Sequence, residues 1–190
     1  MEFGPRALGS RSIIADPRGK DMQKKMNLKI KFRESFRPFA PAVLEDYYKD
    51  WFVLNKKSPF MLFTSKIKKN KLKKINLENY RGFEKLDVEK SEIPAVTHVD
   101  CSARLQTVNE EDNYEFYDII KKFYEKTNIP ILINTSFNVR GEPIVNTSFD
   151  ALQCFVNTNI YVLVLENYII YKKDQNNALL KSNLNNIKPD

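Results

Sequence analysis

The sequence predicts a mixed α/β domain of the α+β type, and three observations carry that expectation. Helical stripes of apolar residues alternate along the chain with short β-rich runs. The apolar run Ile131, Leu132 and Ile133 empties into a polar loop over 134–143, the place where open sheets present groups to ligands. With 190 residues, 42% hydrophobic and 12% aromatic, the chain is long and apolar enough to bury one core of ordinary size.

Gly4, Pro5 and Gly9 punctuate an opening loop that carries Arg6 and Arg11 beside Ser10 and Ser12. Glycine permits close backbone approach to a ligand and arginine supplies charge, although a linker with scattered arginines fits the same residues. So dense a stretch from residue 2 onward suggests a chain cut from something longer. Asp16 then reads as an N-cap with Pro17 at the first helical position. Met22, Met26 and Ile30 recur every fourth residue, so a helix is expected over 17–28.

That helix leads into Lys31-Phe32-Arg33-Glu34-Ser35-Phe36-Arg37-Pro38-Phe39-Ala40-Pro41, the most distinctive segment of the chain. Pro38 and Pro41 disfavour helix for the residues before them, so the segment is expected to be extended or turned. In an extended chain Lys31, Arg33 and Arg37 share one face, with Phe32, Phe36 and Pro38 toward the core. Guanidinium forks beside an ammonium suit a compact phosphate or carboxylate. A solvated basic strand with buried rings is the alternative.

Residues 42–44 read as a strand, 45–54 as a helix turning into a loop, and 59–64 as a second strand. The six lysines within 66–74 are accompanied by neither arginine nor aromatic rings. Base readout and stacking favour both, so the run reads as a solvated, mobile loop opening a long excursion to 92. Strand character returns over 93–99. Residues 98–108 then form two alternating stretches about a small-residue turn at 101–103, giving His98, Asp100, Arg104 and Gln106 a common face. Arg104 and His98 are candidate site residues, His98 being equally readable as structural.

Asn113 is placed to cap a helix whose stripe is Phe116, Ile119, Ile120 and Phe123. After strand 131–133, Ser136 and Asn138 offer hydroxyl and amide contacts and Arg140 a charge. Thr147 with Asp150 resembles a capping box, with Leu152, Phe155 and Val156 facing inward. Residues 160–165 and 168–171 form a hairpin about Glu166 and Asn167. From Lys173 on, asparagine and lysine dominate, as in a frayed tail.

A net charge of +7 calls for an anionic partner, and nucleotide, acyl phosphate, RNA and anionic lipid all fit. Cys101 and Cys154 lack the spacing of a disulfide framework or zinc site. A single histidine, His98, excludes mechanisms that need a histidine cluster. No apolar run approaches the ~20 residues of a membrane span and no secretory signal is visible, so a cytoplasmic protein without a membrane partner is expected.

Four ordered stretches carry a resemblance: 2–18, beginning Glu-Phe-Gly-Pro-Arg-Ala-Leu-Gly-Ser-Arg-Ser; Asn27 with 30–41; 98–108; and 134–144. Their order and spacing resemble the C-terminal domain of the carbamoyltransferase family, which includes nodulation and antibiotic-tailoring O-carbamoyltransferases. The resemblance spans about 2–172, leaving 173–190 as a flexible tail. It implies a YrdC-like fold, a twisted and largely β sheet with flanking helices around a basic concave site.

It further implies that the domain takes ATP and carbamoyl phosphate and makes carbamoyladenylate. The carbamoyl group would then pass to an acceptor hydroxyl through a preceding N-terminal domain, absent here and needed in cis or in trans. By the same resemblance, Lys31 and Arg33 match a Lys-x-Arg element that holds phosphate and carbamoyl oxygens. Ser136 and Asn138 match a Ser-x-Asn element that contacts the nucleotide. Arg104 resembles a phosphate ligand, and Arg6 and Arg11 belong to the entrance motif. Cys101 and Asn128 stand where relatives usually have glycine. If its turn needs a positive φ, Cys101 costs roughly 1 kcal/mol.

On this reading catalysis is positioning and electrostatics, with no covalent nucleophile and with Mg²⁺ arriving on the nucleotide rather than on a protein metal site. Two other readings compete: an RNA-binding module of the same fold without carbamoyl chemistry, and a folded fragment inactive without its partner domain. The arginines cluster at small-residue turns while the lysine run lacks stacking partners, which argues against nucleic acid.

Overall fold

A row of β-rich segments and four helical ones gives an α+β architecture, seen in a computed structural model that describes residues 6–175. In chain order the elements are β1 (Ser12–Ala15), α1 (Met22–Lys29), β2 (Ala40–Leu44), α2 (Tyr48–Trp51), β3 (Phe63–Lys66), β4 (Ser102–Val108), α3 (Tyr114–Thr127), β5 (Ile131–Ser136), α4 (Ser148–Asn157), β6 (Val162–Leu165) and β7 (Tyr168–Tyr171). Five strands form a mixed sheet in the order β1-β5-β2-β4-β3, and β6 with β7 forms a separate hairpin. Only β2 and β4 run parallel; the other pairs are antiparallel.

Alternation along the strands sorts the sheet into two unlike faces. One face buries Ile13, Val43, Ala103, Leu105, Ile131 and Ile133 in the main core, with Met26 of α1, Trp51 of α2, Phe155 of α4 and Leu163 of β6. On the other face, Ala42, Leu44, Val108 and Leu132 meet Phe116 and Ile120 of α3. Helix α3 covers only one end of that second face. Toward the other end the same alternation brings up Arg104 and Gln106 from β4 and Asn134 and Ser136 from β5. The sheet therefore offers a polar end beside an apolar one.

Caps fix the helices that flank this sheet. The Asn113 side chain accepts the Phe116 N–H at 3.1 Å, and Asn128 closes α3 at φ 57° in the left-handed conformation. Thr147 and Asp150 form the expected reciprocal capping box at the start of α4. The stripes are narrower than expected: Ile119 and Leu152 face solvent, while Phe116, Ile120, Ala151 and Phe155 carry the packing.

Three other expectations are corrected. Helix α1 starts at Met22 rather than 17, because the Asp16 carboxylate turns onto Arg18, accepting its N–H at 2.9 Å and its guanidinium at 2.6 Å. The strand expected at 59–64 lies at Phe63–Lys66, since Met61 sits at φ 55° and turns the chain just before it. Residues 93–99 hold a single 3₁₀ turn, Pro94–Val96, with Pro94 at its start in place of a strand.

The lysine run is partly tied down. Lys66 pairs with Asp100 at 2.7 Å, Lys71 with Glu92 at 3.7 Å and over the Trp51 ring at 4.2 Å, and Lys73 with Glu89. At the other end of the chain Lys172–Asp174 forms a 3₁₀ turn, and the remainder of the expected tail, 176–190, lies outside the described residues. Among the described residues no helix is long and apolar enough to cross a membrane.

Candidate functional site: a cationic cluster at the polar end of the sheet

The segment after α1 does not run as an extended strand. Lys31 N–H bonds to Met26 O at 2.9 Å and Arg33 N–H to Asn27 O at 3.0 Å, wrapping the chain around the helix end. Phe32 sits at φ 47° and reverses the side-chain order. The result inverts the sequence expectation: Lys31 is buried at 3% exposure, whereas Phe32, Phe36 and Pro38 face outward. Asn27, itself buried, is the brace. Its amide donates to Ser35 O at 3.1 Å and Arg37 O at 2.8 Å, and its oxygen accepts from Arg33 Nε at 2.6 Å. Arg33 also lies over the Phe39 ring at 4.9 Å.

Burying an ammonium requires partners on every side. Lys31 Nζ finds four oxygens where β5 ends: Ser136 O at 2.7 Å, Ser136 Oγ at 3.2 Å, Asn138 O at 2.8 Å and Asn138 Oδ1 at 2.6 Å. The Ser136 hydroxyl donates to Asn138 Oδ1 at 2.7 Å, and Asn138 Nδ2 donates to Glu142 O at 2.7 Å. Arg140 N–H closes onto Lys31 O at 3.1 Å. Burial, with Arg33 beside it, pushes the Lys31 pKa down to about 8. Burial first, then Arg37, also disfavours the charge on Arg33. On the rim, Arg37 and Arg140 both approach the Glu34 carboxylate at 3.7 Å.

A second group gathers on the neighbouring strands. The Gln106 amide donates to Leu8 O at 2.8 Å; that of Asn134 donates to Ala7 O at 3.0 Å and to Gln106 Oε1 at 2.7 Å. These buried amides strap the entrance segment across the sheet. The register pairs Ala40 with Asn134 and Ala42 with Gln106, so Arg104 and Asn134 flank β2 at the row of Ala40. Two strand spacings put them roughly 10 Å apart. Arg104 keeps its Nε buried without a hydrogen-bond partner, and among the described residues its Nη2 donates to Met61 Sδ alone, at 3.8 Å. Burial, then the nearby charge of Arg6, weighs against its ionisation. A half-buried guanidinium so placed, with the Arg6 charge nearby, pairs with no carboxylate among the described residues.

Of the remaining candidates, Arg11 laces β1 to the loop after β5: its guanidinium donates to Val145 O at 3.1 Å and its carbonyl accepts the Phe137 N–H at 3.0 Å. His98 belongs to the turn before β4. Its Nδ1 lies 3.1 Å from Ser102 Oγ, which donates to Asp100 Oδ1 at 2.6 Å, and burial lowers its pKa. The same turn holds Cys101 at φ 61°. His98 and Asp100 therefore do not share the β4 face with Arg104 and Gln106, because the strand begins only at Ser102.

The structure thus joins Lys31, Ser136, Asn138 and the Arg140 backbone by direct hydrogen bonds, with Arg33 and Arg37 attached through Asn27. Arg104 and Arg6 stand on the same sheet end, linked to Ser136 through Asn134 on β5. Sequence reasoning missed Asn27, Gln106 and Asn134 as site residues. For Gln106 and Asn134 the signal was a polar residue directly after an apolar one in a β-rich stretch, after Leu105 and after Ile133. Both cysteines are free thiols, and among the described residues no cluster of three or more His, Cys, Asp or Glu is placed to hold a metal ion.

A mixed sheet with a cationic end made of these four stretches defines a class, and comparison with known proteins agrees with it. The family model described as carbamoyltransferase C-terminus matches residues 1–172, and the chain belongs to that family. It is 51% identical over 177 residues to an uncharacterized protein of Synechocystis, covering 92% of this chain and 29% of that one. An uncharacterized protein of Methanocaldococcus jannaschii is 42% identical over 172 residues, 90% of this chain and 30% of its own length. The nodulation protein NolO of Bradyrhizobium diazoefficiens is 41% identical over 175 residues, with 90% and 29% covered. The chain spans about three-tenths of the length of these relatives.

Proposed function

We propose that this domain activates a carbamoyl group for transfer, binding carbamoyl phosphate and magnesium-ATP at the polar end of the sheet and forming carbamoyladenylate. The observation that carries the reading is the Lys31–Ser136–Asn138 cluster at the end of β5, two strand spacings from Arg104 with its unpartnered Nε. Carbamoyl phosphate and ATP bring several negative charges into one place, and cations must neutralise them before they can approach.

In the first step water cleaves carbamoyl phosphate to carbamate and inorganic phosphate. A carbamate oxygen then attacks the α-phosphorus of ATP; the new P–O bond forms as the α–β bond breaks and pyrophosphate leaves. Magnesium, were it carried in by the nucleotide, would supply further charge neutralisation, held by the phosphates rather than by side chains of this chain. The chain's own residues position and stabilise. Arg104 and Arg6 receive phosphate oxygens, Arg33 and Lys31 the carbamoyl oxygens, and the Ser136–Asn138 loop the nucleotide. Arg37 and Arg140 stand at the rim, and Arg11 and His98 support the loops on either side. No nucleophilic side chain takes part. Transfer to an acceptor hydroxyl belongs to the portion of the longer relatives that lies outside the match.

The test is carbamoyl-phosphate-dependent ATP–pyrophosphate exchange by the isolated chain, together with thermal unfolding in the presence of both ligands. Exchange that Arg33→Ala abolishes, and a raised unfolding temperature in the wild type, support the reading. No protection by either ligand, with tight and steeply salt-dependent RNA binding instead, overturns it.

A further inference from the structure

The hairpin leaves an apolar surface that neither the core nor the cationic site uses. Its register sets Val162 opposite Tyr171 and Val164 opposite Ile169, so these four side chains share one face. All four are exposed, Val164 at 63% and Ile169 at 60%. The inner face needs no help from them, because Leu163, Leu165 and Ile170 already seat the hairpin on the main core. Lys172 locks the seat, its ammonium donating to the carbonyls of Phe155 and Thr158 at the end of α4. This is a held ribbon whose outer face is apolar, with the Lys173 ammonium over the Tyr171 ring at 5.7 Å as the charge beside it among the described residues.

The face continues into a groove. Val162 and Val164 line it together with Ile14 on the edge strand β1 and Ile119 on α3, and Ile14 and Ile119 are themselves exposed. Glu115 and Glu166 also line it. Contiguous apolar surface with a polar rim marks an interaction site rather than ordinary scatter.

We propose that this face docks the portion of longer family members that precedes the matched region. The inference rests on the reading of the chain as one working part of such a protein. Two observations name the occupant. The matched relatives are more than three times as long as the region they share with this chain, and the shared region is the family's C-terminus. A preceding chain therefore enters through residues 6–10, of which Gly9 and Ser10 line the same groove. The two glutamates of the groove call for an apolar element with basic flanks. A second copy of this chain fits less well, since each copy carries +7.

The experiment co-expresses the tagged 190-residue chain with the part of the Synechocystis relative that precedes its matched region, and measures recovery of the pair. The wild-type chain should retain that part, and so should Val53→Asp, an equally exposed substitution beside the opposite edge strand. Val164→Asp, and separately Ile169→Asp, should lower recovery at least tenfold, with unchanged circular dichroism and unchanged protection by ATP with carbamoyl phosphate. Recovery indifferent to both hairpin variants overturns the proposal, as does no complex with the wild type. A concentration-dependent dimer of the chain alone, dispersed by Val164→Asp, also overturns it in favour of self-association. A hairpin-dependent complex in a chain that small ligands never protect would sink the carbamoyl reading while leaving the docking face standing.

Discussion

Lys31 and Arg104 reach the same end of one sheet and are satisfied in opposite ways. Lys31 spends its ammonium on four protein oxygens, three of them within 2.8 Å. Arg104 leaves Nε without an acceptor and has Arg6 for a charged neighbour. A cation fully bonded to a loop holds that loop; a half-buried cation whose Nε has no partner is, on the proposed reading, the one left for a ligand. The difference assigns them different duties. Lys31 holds the Ser136–Asn138 loop and, on the proposed reading, would meet a ligand only by exchanging one of its present bonds, whereas Arg104 would bond one directly.

Stability is where that contrast should show most. Lys31→Met strips the donors from Ser136 O and Asn138 O inside the protein, and a loss of about 2–4 kcal/mol is expected in urea unfolding. Arg104→Met removes an unpaired donor and a like-charge contact, so a change within about 1 kcal/mol is expected. Should the two variants exchange places, the division of duties fails.

Ligand protection sharpens the other half. A charge-assisted hydrogen bond contributes about 1.5–3 kcal/mol, so Arg104→Met should weaken ATP and carbamoyl phosphate binding roughly 10- to 100-fold while the fold survives. Titration of the thermal shift against ligand concentration measures it. Unaltered affinity in a folded Arg104→Met protein would remove Arg104 from the site.

The pH dependence separates the two cations further. Burial brings Lys31 down to about 8, below its unfolded value, so the folded protein loses that proton first. Anion affinity should therefore fall as pH rises through 8. Over the same rise the unfolded chain holds the extra proton, so the stability contribution of Lys31 increases from about pH 8 toward the ordinary lysine range. Both slopes should flatten in Lys31→Met and persist in Arg104→Met. Parallel profiles in all three proteins would mean another group titrates.

How much of this was legible beforehand follows from periodicity. Helix α3, strand β5, the α4 capping box and the hairpin were readable, because each is set by local spacing and a nearby cap. The 30–41 segment was not. Alternation assumed an extended chain, yet Asn27 gathers the backbone of Ser35 and Arg37 and Phe32 adopts a positive φ, and neither is visible as a period. The site's membership was named residue by residue from motif resemblance, but its division of labour was not. Whether Lys31 is saturated depends on Ser136 and Asn138, 105 and 107 residues away, and the entrance segment is held by Asn134, 127 residues from Ala7. The solvent-facing Ile119 and Leu152 mark the limit of helical stripes, which give a face but not its width.

The smallest expected effects concern the backbone beside each cation. Phe32 next to Lys31 and Cys101 before β4 both hold left-handed conformations, at φ 47° and 61°. A side chain there costs about 1–2 kcal/mol, while glycine loses about 0.4–1 kcal/mol through the freer unfolded chain. Phe32→Gly and Cys101→Gly should each gain about 0.5 kcal/mol in urea unfolding. Their effects on binding should then diverge. The Lys31 ammonium is pinned by four bonds, so Phe32→Gly should leave affinity unchanged. Arg104 has no such anchor, and its position depends on the turn that starts β4, so Cys101→Gly should shift affinity measurably. Equal responses of the two would show that Arg104 is held as firmly as Lys31, and by contacts other than hydrogen bonds.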